Sequence, residues 1–378
     1  MIKKRVLVAM SGGVDSSVAA FLLKQEKKYD VIGVNFDLFP QHHKQNIKDA
    51  RNVCAKLGIP FYSFDYRKEF KEKVIDYFCA EYANGRTPNP CAVCNEKIKF
   101  AKIFDKAKTL GADYVATGHY VKKEYNKTSK RYILKKGKDK NKDQSYFLFS
   151  LTQKQLKRAL FPLGSYTKEE IRHIAKNNGL KAHDRPESQD VCFILGRDYH
   201  EFLKEQLGNI YITGLIVNSK GETVGEHKGI PFYTIGQRKG LGLHPVRNNP
   251  GNSRDASDGY LRISNGAHKK PMYVIRINKE KNVTVIGEEK ELYQNTLLAE
   301  KVNWIGIEPS TLNRTCSGLG LKVKARTRYR SKESEAVITP AGKGRIKVKF
   351  AKPQRAITPG QAVVFYNKDT VIGGGWIK

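Results

Sequence analysis

The chain has 378 residues, long enough for two or three domains, and carries 69 Lys and Arg against 37 Asp and Glu, a formal charge of +32. That balance disfavours an acidic or apolar partner and points to a polyanion, with nucleic acid first. No apolar stretch of spanning length and no amphipathic anchor is present, the first strand leaves no room for a leader, and six cysteines are too few for a disulfide scaffold; a cytoplasmic enzyme with reduced thiols and no membrane partner is expected.

The apolar run Val6 to Met10 predicts a buried strand over Arg5–Met10. It leads into Ser11-Gly12-Gly13-Val14-Asp15-Ser16-Ser17 and then a helix over Ser17–Lys24. Two glycines let the backbone turn tightly and bring its N–H groups to an anion, and the helix dipole points its positive end at the same spot. The run from Ala9 to Ser16 therefore reads as a phosphate cradle. A Walker A loop would need a lysine before its Ser/Thr. Here Asp15 stands in the motif, a carboxylate that makes sense beside phosphates if it holds Mg2+. The bland alternative is a strand-turn-helix corner of small residues. The motif resembles the PP-loop of ATP pyrophosphatases, which implies cleavage of ATP between its α- and β-phosphates.

Further strands are predicted at Asp30–Phe36, Pro60–Asp65 and Tyr114–Thr117, with helices at Gln45–Leu57, Lys68–Tyr82, Ile98–Leu110 and Lys168–Asn178. The alternation predicts an α/β class, a doubly wound parallel sheet over residues 1–204 with its ligand at the carboxyl ends of the strands. Gly, Asn and Pro break up a small central domain at 205–268. Alternating segments from Met272–Ile277 and Val283–Gly287 to Ala362–Tyr366 predict a C-terminal β-barrel over 269–378.

Four other stretches carry chemistry. Thr87-Pro88-Asn89-Pro90-Cys91-Ala92-Val93-Cys94-Asn95 holds a Cys-x-x-Cys pair in a proline-stiffened loop, suited to a redox dithiol, half a zinc site or part of an iron–sulfur site. Glu187-Ser188-Gln189-Asp190-Val191-Cys192-Phe193-Ile194 holds a lone cysteine among apolar residues; taken alone, Cys192 reads as a small core residue. Cys54, Cys79 and Cys316 read as structural. Thr117-Gly118-His119-Tyr120 ends a strand at the ligand edge. Lys142-Asp143-Gln144-Ser145-Tyr146 mixes charge and aromaticity as RNA contacts do, or is a solvated loop.

Together, and in this order, these stretches resemble the tRNA-specific 2-thiouridylase family over essentially the whole chain. The resemblance implies that Ala9, Met10, Ser11, Gly12, Gly13, Val14, Asp15 and Ser16 hold ATP, with Phe36 and Gly118 as further nucleotide contacts. It implies that Asn89, Pro90 and Cys91 meet the target base and that His119 is a neighbouring functional position. Lys142, Asp143, Gln144, Arg328 and Tyr329 match tRNA-contacting segments, and Gln361 a further site near tRNA. Cys94 matches the catalytic cysteine and Cys192 the cysteine that carries sulfur as a persulfide.

The well-known bacterial form has Asp where this chain has Cys91. Two mechanisms stay open: Cys94 and Cys192 as a thiol pair around a persulfide, or Cys91, Cys94 and Cys192 ligating a 4Fe-4S cluster that holds the sulfur. The second is slightly favoured here, because Asp→Cys replaces a poor iron ligand with a good one. The implied reaction is ATP-dependent adenylation of O2 of uridine 34, then sulfur insertion at C2. Its partners would be the anticodon stem-loop and a sulfur donor, a cysteine desulfurase or a sulfur-relay protein. An amidating or ligating PP-loop enzyme would explain the loop but not the thiols and the charge. A non-enzymatic RNA-binding module would explain the charge but not an intact loop.

Overall fold

The protein is described by a computed structural model, covering residues 2–38, 43–180, 191–194, 196–208, 211–241, 243, 260–261, 270–314 and 320–378. Glu187 to Asp190, Gly242 and Cys316 lie outside the described residues.

Five parallel strands form the first sheet in the order β3-β2-β1-β4-β7: β1 Lys4–Ala9, β2 Tyr29–Asp37, β3 Phe61–Asp65, β4 Tyr114–Ala116 and β7 Ala159–Leu160. After the exposed Lys4 and Arg5 the central strand is apolar from Val6 on, because both of its faces are covered there. Val6 and Val8 pack with Val18 and Leu23 of α1 (Val14–Gln25) and with Ile171. Leu7 faces the other way, against Ile103 and Ala107. The connections out of β1 and β4 face each other across the point where strand order reverses, which is where such sheets bind ligands.

The expected cysteine loop is largely helical. Asn89 caps a helix that starts at Pro90, its side chain accepting from the Ala92 N–H at 3.1 Å, with proline in the first turn where no N–H is missed. The helix runs through a π-type stretch at Asn95–Phe100 to Thr109.

A hairpin of β5 (Val121–Asn126) and β6 (Arg131–Lys136) leaves the first sheet and extends the C-terminal one, β6 pairing with Thr370–Ile377. Lysines on both strands hide its alternation in the sequence. The C-terminal sheet closes on itself, since Tyr293–Trp304 pairs with both Ile346–Arg355 and Thr370–Ile377. Two strands read as part of that barrel sit elsewhere. Tyr273–Asn278 and Val283–Gly287 join Gly214–Asn218 and Thr223–His227 in a separate four-stranded sheet. Alternation marked them as strands, but partner choice is set by the parallel pairing of Val283–Ile286 with Leu215–Asn218, which is not local.

Candidate active site

The phosphate loop is a shaped turn. Gly12 has φ +80, and a Cβ there would stand 2.5 Å from the Asn46 carbonyl oxygen. Only glycine fits both demands. α1 starts at Val14, three residues earlier than its sequence suggests, so Asp15, Ser16 and Ser17 lie in its first turn. Gly13 is the cap and offers no side chain, which leaves first-turn N–H groups for an anion. The serine hydroxyls brace the turn: Ser16 Oγ and Ser17 Oγ donate to the Gly13 carbonyl at 3.0 and 2.9 Å, and Ser16 Oγ accepts from the Ser11 N–H at 3.1 Å. Buried Asn35 donates to the Met10 carbonyl at 2.7 Å, tying β2 to the loop. Phe36 lies next to the end of β2 and stands edge-on to Tyr66 at 5.1 Å. Gly118 packs onto the loop, where a Cβ would lie 2.8 Å from Asp15 C and 3.0 Å from Ser16 N.

Asp15 has close partners that its sequence did not announce. Tyr120 Oη donates to its Oδ1 at 2.6 Å, and Lys168 Nζ reaches Oδ1 at 2.7 Å and Oδ2 at 2.9 Å. Both signals were present as residue types but not as neighbours; the partners are 105 and 153 residues away.

The thiols and His119 share one charged neighbour, Lys99. Cys91 and Cys94 are three apart and share a helical face. Cys94 is buried, whereas Cys91 and Cys192 touch solvent. Phe193 and Ile194 carry the packing expected of Cys192: Phe193 sits between Phe70 (5.8 Å) and Phe78 (5.3 Å), which leaves Cys192 outside the core. Loss of water around the sulfurs pushes the Cys94 thiol up to about 12 and Cys192 to about 11, and raises Cys91, although the Cys91 and Cys192 residues keep an exposed face. The opposing influence on all three is Lys99, whose charge favours their thiolates. Burial acts to lower Lys99, but the three thiols together carry it above its ordinary value. In the π stretch, hydrogen bonds skip one extra residue, so Lys99 comes round onto the face of Cys94, five residues before it. Sequence reasoning missed this lysine, because in a regular helix that spacing points away.

His119 is buried, with Thr117 Oγ1 at 2.8 Å from Nδ1 and Phe100 beside its ring. Burial, with help from Lys99, lowers it to about 3, so it is a neutral imidazole. Among the described residues no group of three or more His, Cys, Asp or Glu could hold a metal ion, so Cys91, Cys94 and Cys192 as placed do not form such a set. Mg2+ needs less, since one carboxylate with phosphate oxygens and water suffices, and Asp15 can supply it. Cys54 and Cys79 are buried in α-helices and raised to about 12 and 11 by burial, as inert thiols are.

Several residues matched to tRNA contacts bind other parts of the chain. Buried Asp143 accepts from the N–H groups of Gly137 (3.2 Å) and Ser145 (3.1 Å), and Gln144 from that of Tyr120 (3.0 Å). Half-buried Arg328 donates to the Ala356 carbonyl (3.0 Å) and Thr358 Oγ1 (2.5 Å). Gln361 binds the segment ahead of the thiol helix. Tyr329 lies against Phe147 at 4.4 Å, and Lys142 is partly exposed.

A family model described as tRNA methyl transferase HUP domain matches residues 4–196, followed by a PRC-barrel domain model at 200–288 and an aminomethyltransferase β-barrel domain model at 294–377. Among curated proteins, the chain is 46% identical to tRNA-specific 2-thiouridylase MnmA of Halothermothrix orenii, over 99% of each chain. It is 44% identical to that of Clostridioides difficile, over 100% of this chain and 99% of the relative. It is 43% identical to that of Acetivibrio thermocellus, over the full length of both.

Proposed function

This chain belongs to the tRNA-specific 2-thiouridylase family, and from that premise we propose that it inserts sulfur at C2 of uridine 34 in tRNA, using ATP and Mg2+. The observation that carries the proposal is the bridge formed by Gly118-His119-Tyr120. Its two ends meet the phosphate loop, Gly118 packing on Asp15 and Ser16 and Tyr120 bonding to Asp15, and His119 between them feels the charge of Lys99, the lysine shared by the three thiols. This supports a reading in which a nucleotide activator and a sulfur carrier work next to one short segment.

The C2 carbonyl of uracil is a poor electrophile, because oxide is a poor leaving group. Attack of O2 on the α-phosphorus expels pyrophosphate and turns that oxygen into part of AMP. The loop N–H groups offset the charge on the departing pyrophosphate, and Mg2+ held by Asp15 would add to this. The terminal sulfur of a Cys192 persulfide attacks C2, and AMP leaves. Cys94 then attacks the Cys192 sulfur, breaking the S–S bond; the electron pair stays on the sulfur bound to C2. The products are 2-thiouridine and a Cys94–Cys192 disulfide, which a thiol reductant reopens. Lys99 stabilises the thiolates that perform both attacks. Neutral His119 offers one donor and one acceptor beside the base without adding charge.

The thiol pair carries the sulfur step in this reading. A 4Fe-4S cluster on Cys91, Cys94 and Cys192 would instead supply an open iron for sulfide. The specific feature that favours it is Cys91 on the face of Cys94. The basic surface suits the anticodon stem-loop, the sulfur donor is a desulfurase or relay protein, and the setting is the cytoplasm; no described helix is long and apolar enough to cross a membrane. Domain limits at 1–204, 205–268 and 269–378 are part of the proposal, with the strand pairing at 273–287 favouring a later second limit. The test is AMP release from ATP with and without tRNA: stimulation by uridine-34 tRNA is expected, and tRNA-independent turnover would contradict it.

A further inference from the structure

The phosphate loop contains no lysine, unlike the Walker type. The fold brings one to it from a distant element. Lys168 opens the helix Lys168–Asn177 and lays Nζ 2.7 and 2.9 Å from the two oxygens of Asp15, in the first turn of α1. Only 8% of Lys168 is exposed. Its position is fixed along the backbone: Thr167 and Glu170 form a reciprocal cap, the Lys168 N–H donates to Asp139 Oδ2 at 3.0 Å, and Ile171 and Ala175 pack in one cluster with Val18 and Ala19 of α1. Tyr120 shares Asp15 Oδ1 at 2.6 Å. A buried ammonium on the Asp15 carboxylate, beside a helix start with N–H groups to spare, stands where a polyphosphate would lie.

We propose that Lys168 is the triphosphate-binding cation of this enzyme, held by Asp15 until nucleotide arrives. On binding, a β- or γ-phosphate oxygen replaces Asp15 as the partner of Nζ, and the freed carboxylate would be available to hold Mg2+. One loop residue thus serves as counter-ion in the empty site and metal ligand in the filled one. This rests on the reading that the loop binds ATP. It goes further in assigning the cation to a helix outside the motif.

The competing role is that Lys168 only neutralises Asp15. Removing Lys168 alone would not separate the two, because a bare Asp15 repels phosphate. The separation comes from comparing Asp15→Asn with Asp15→Asn/Lys168→Met, where residue 15 carries no charge that needs a counter-ion. Binding of ATP and of AMP is measured calorimetrically without Mg2+, with thermal melts as the folding check. Loss of a charged hydrogen bond predicts ATP binding about ten- to a hundredfold weaker in the double variant, with AMP binding changed by less than about twofold. Equal ATP affinity in the two proteins would overturn the proposal. If the double variant does not fold, Asp15→Asn/Lys168→Gln, whose amide keeps a hydrogen bond to the neighbouring side chain, is read in the same way. Failure of the wild-type protein to bind ATP would instead overturn the proposed function.

Discussion

Gln361 of the C-terminal barrel donates its side-chain amide to the carbonyl oxygens of Thr87 (3.1 Å) and Pro88 (2.8 Å), the two residues ahead of the Asn89 cap. The Thr87 N–H in turn donates to the Pro359 carbonyl at 2.9 Å. The barrel therefore sets where the thiol helix begins. Removing the amide in Gln361→Ala leaves two carbonyls short of a donor, a loss of about 1–3 kcal/mol in stability. Thiolation should fall about tenfold while ATP affinity stays within about twofold, because the phosphate loop touches neither residue. Steady-state thiolation and nucleotide titration check this; equal losses in both would mean general unfolding rather than misplacement.

Gly118→Ala should weaken ATP binding more than it lowers stability. The added methyl would meet the backbone of Asp15 and Ser16, which cannot rotate away as a side chain could. Nucleotide titration of a folded variant is the check, and an unchanged dissociation constant would show that the loop has room to shift.

Cys94→Ser and Cys192→Ser should each abolish 2-thiouridine formation yet bind ATP normally, since neither thiol is among the groups assigned to the nucleotide, the phosphate loop and Lys168. Cys91→Asp, with no iron present, should keep activity if the thiol pair carries the sulfur. Iron in anaerobically prepared wild-type protein, lost together with activity in Cys91→Asp, would establish the cluster route instead.

His119 gives a pH dependence of known sign. Its folded value, about 3, lies below the ordinary 6.5 of histidine, so the unfolded chain binds the extra proton. Stability from this group is full above about pH 6.5 and is lost as pH falls towards 3, with a slope of up to about 1.4 kcal/mol per pH unit. Denaturant midpoints at pH 7.5 and 5.5 should therefore drop less in His119→Gln than in the wild type. Parallel drops would place the histidine in water.

The fold was legible where local pattern decides it. The phosphate loop, its strand and the helices around it follow from apolar runs and glycines. What the sequence hid were pairings between distant residues. Strands 273–278 and 283–287 read correctly as strands and pair with each other, but 283–287 finds its second partner near residue 215. Lys168 and Tyr120 are ordinary residues until the fold lays them on Asp15. Arg328 and Gln361 looked like surface donors for RNA and turn out to hold carbonyls of the chain itself.

The same distinction separates the basic residues by experiment. Binding of tRNA should weaken steeply with salt, and Lys142→Ala should lower the salt slope by about one. Arg328→Ala should instead cost about 2–3 kcal/mol of stability, because its donors are used inside the protein. A changed slope with unchanged stability in Arg328→Ala would return that residue to the RNA surface.

The central claim is tested most directly by nucleoside mass spectrometry of a uridine-34 tRNA transcript incubated with the protein, Mg-ATP, a cysteine desulfurase with cysteine, and a thiol reductant. The expected result is 2-thiouridine at position 34 only, in step with AMP and dependent on Cys192. Absence of 2-thiouridine from tRNA treated with folded, ATP-binding protein and a charged sulfur donor would contradict it.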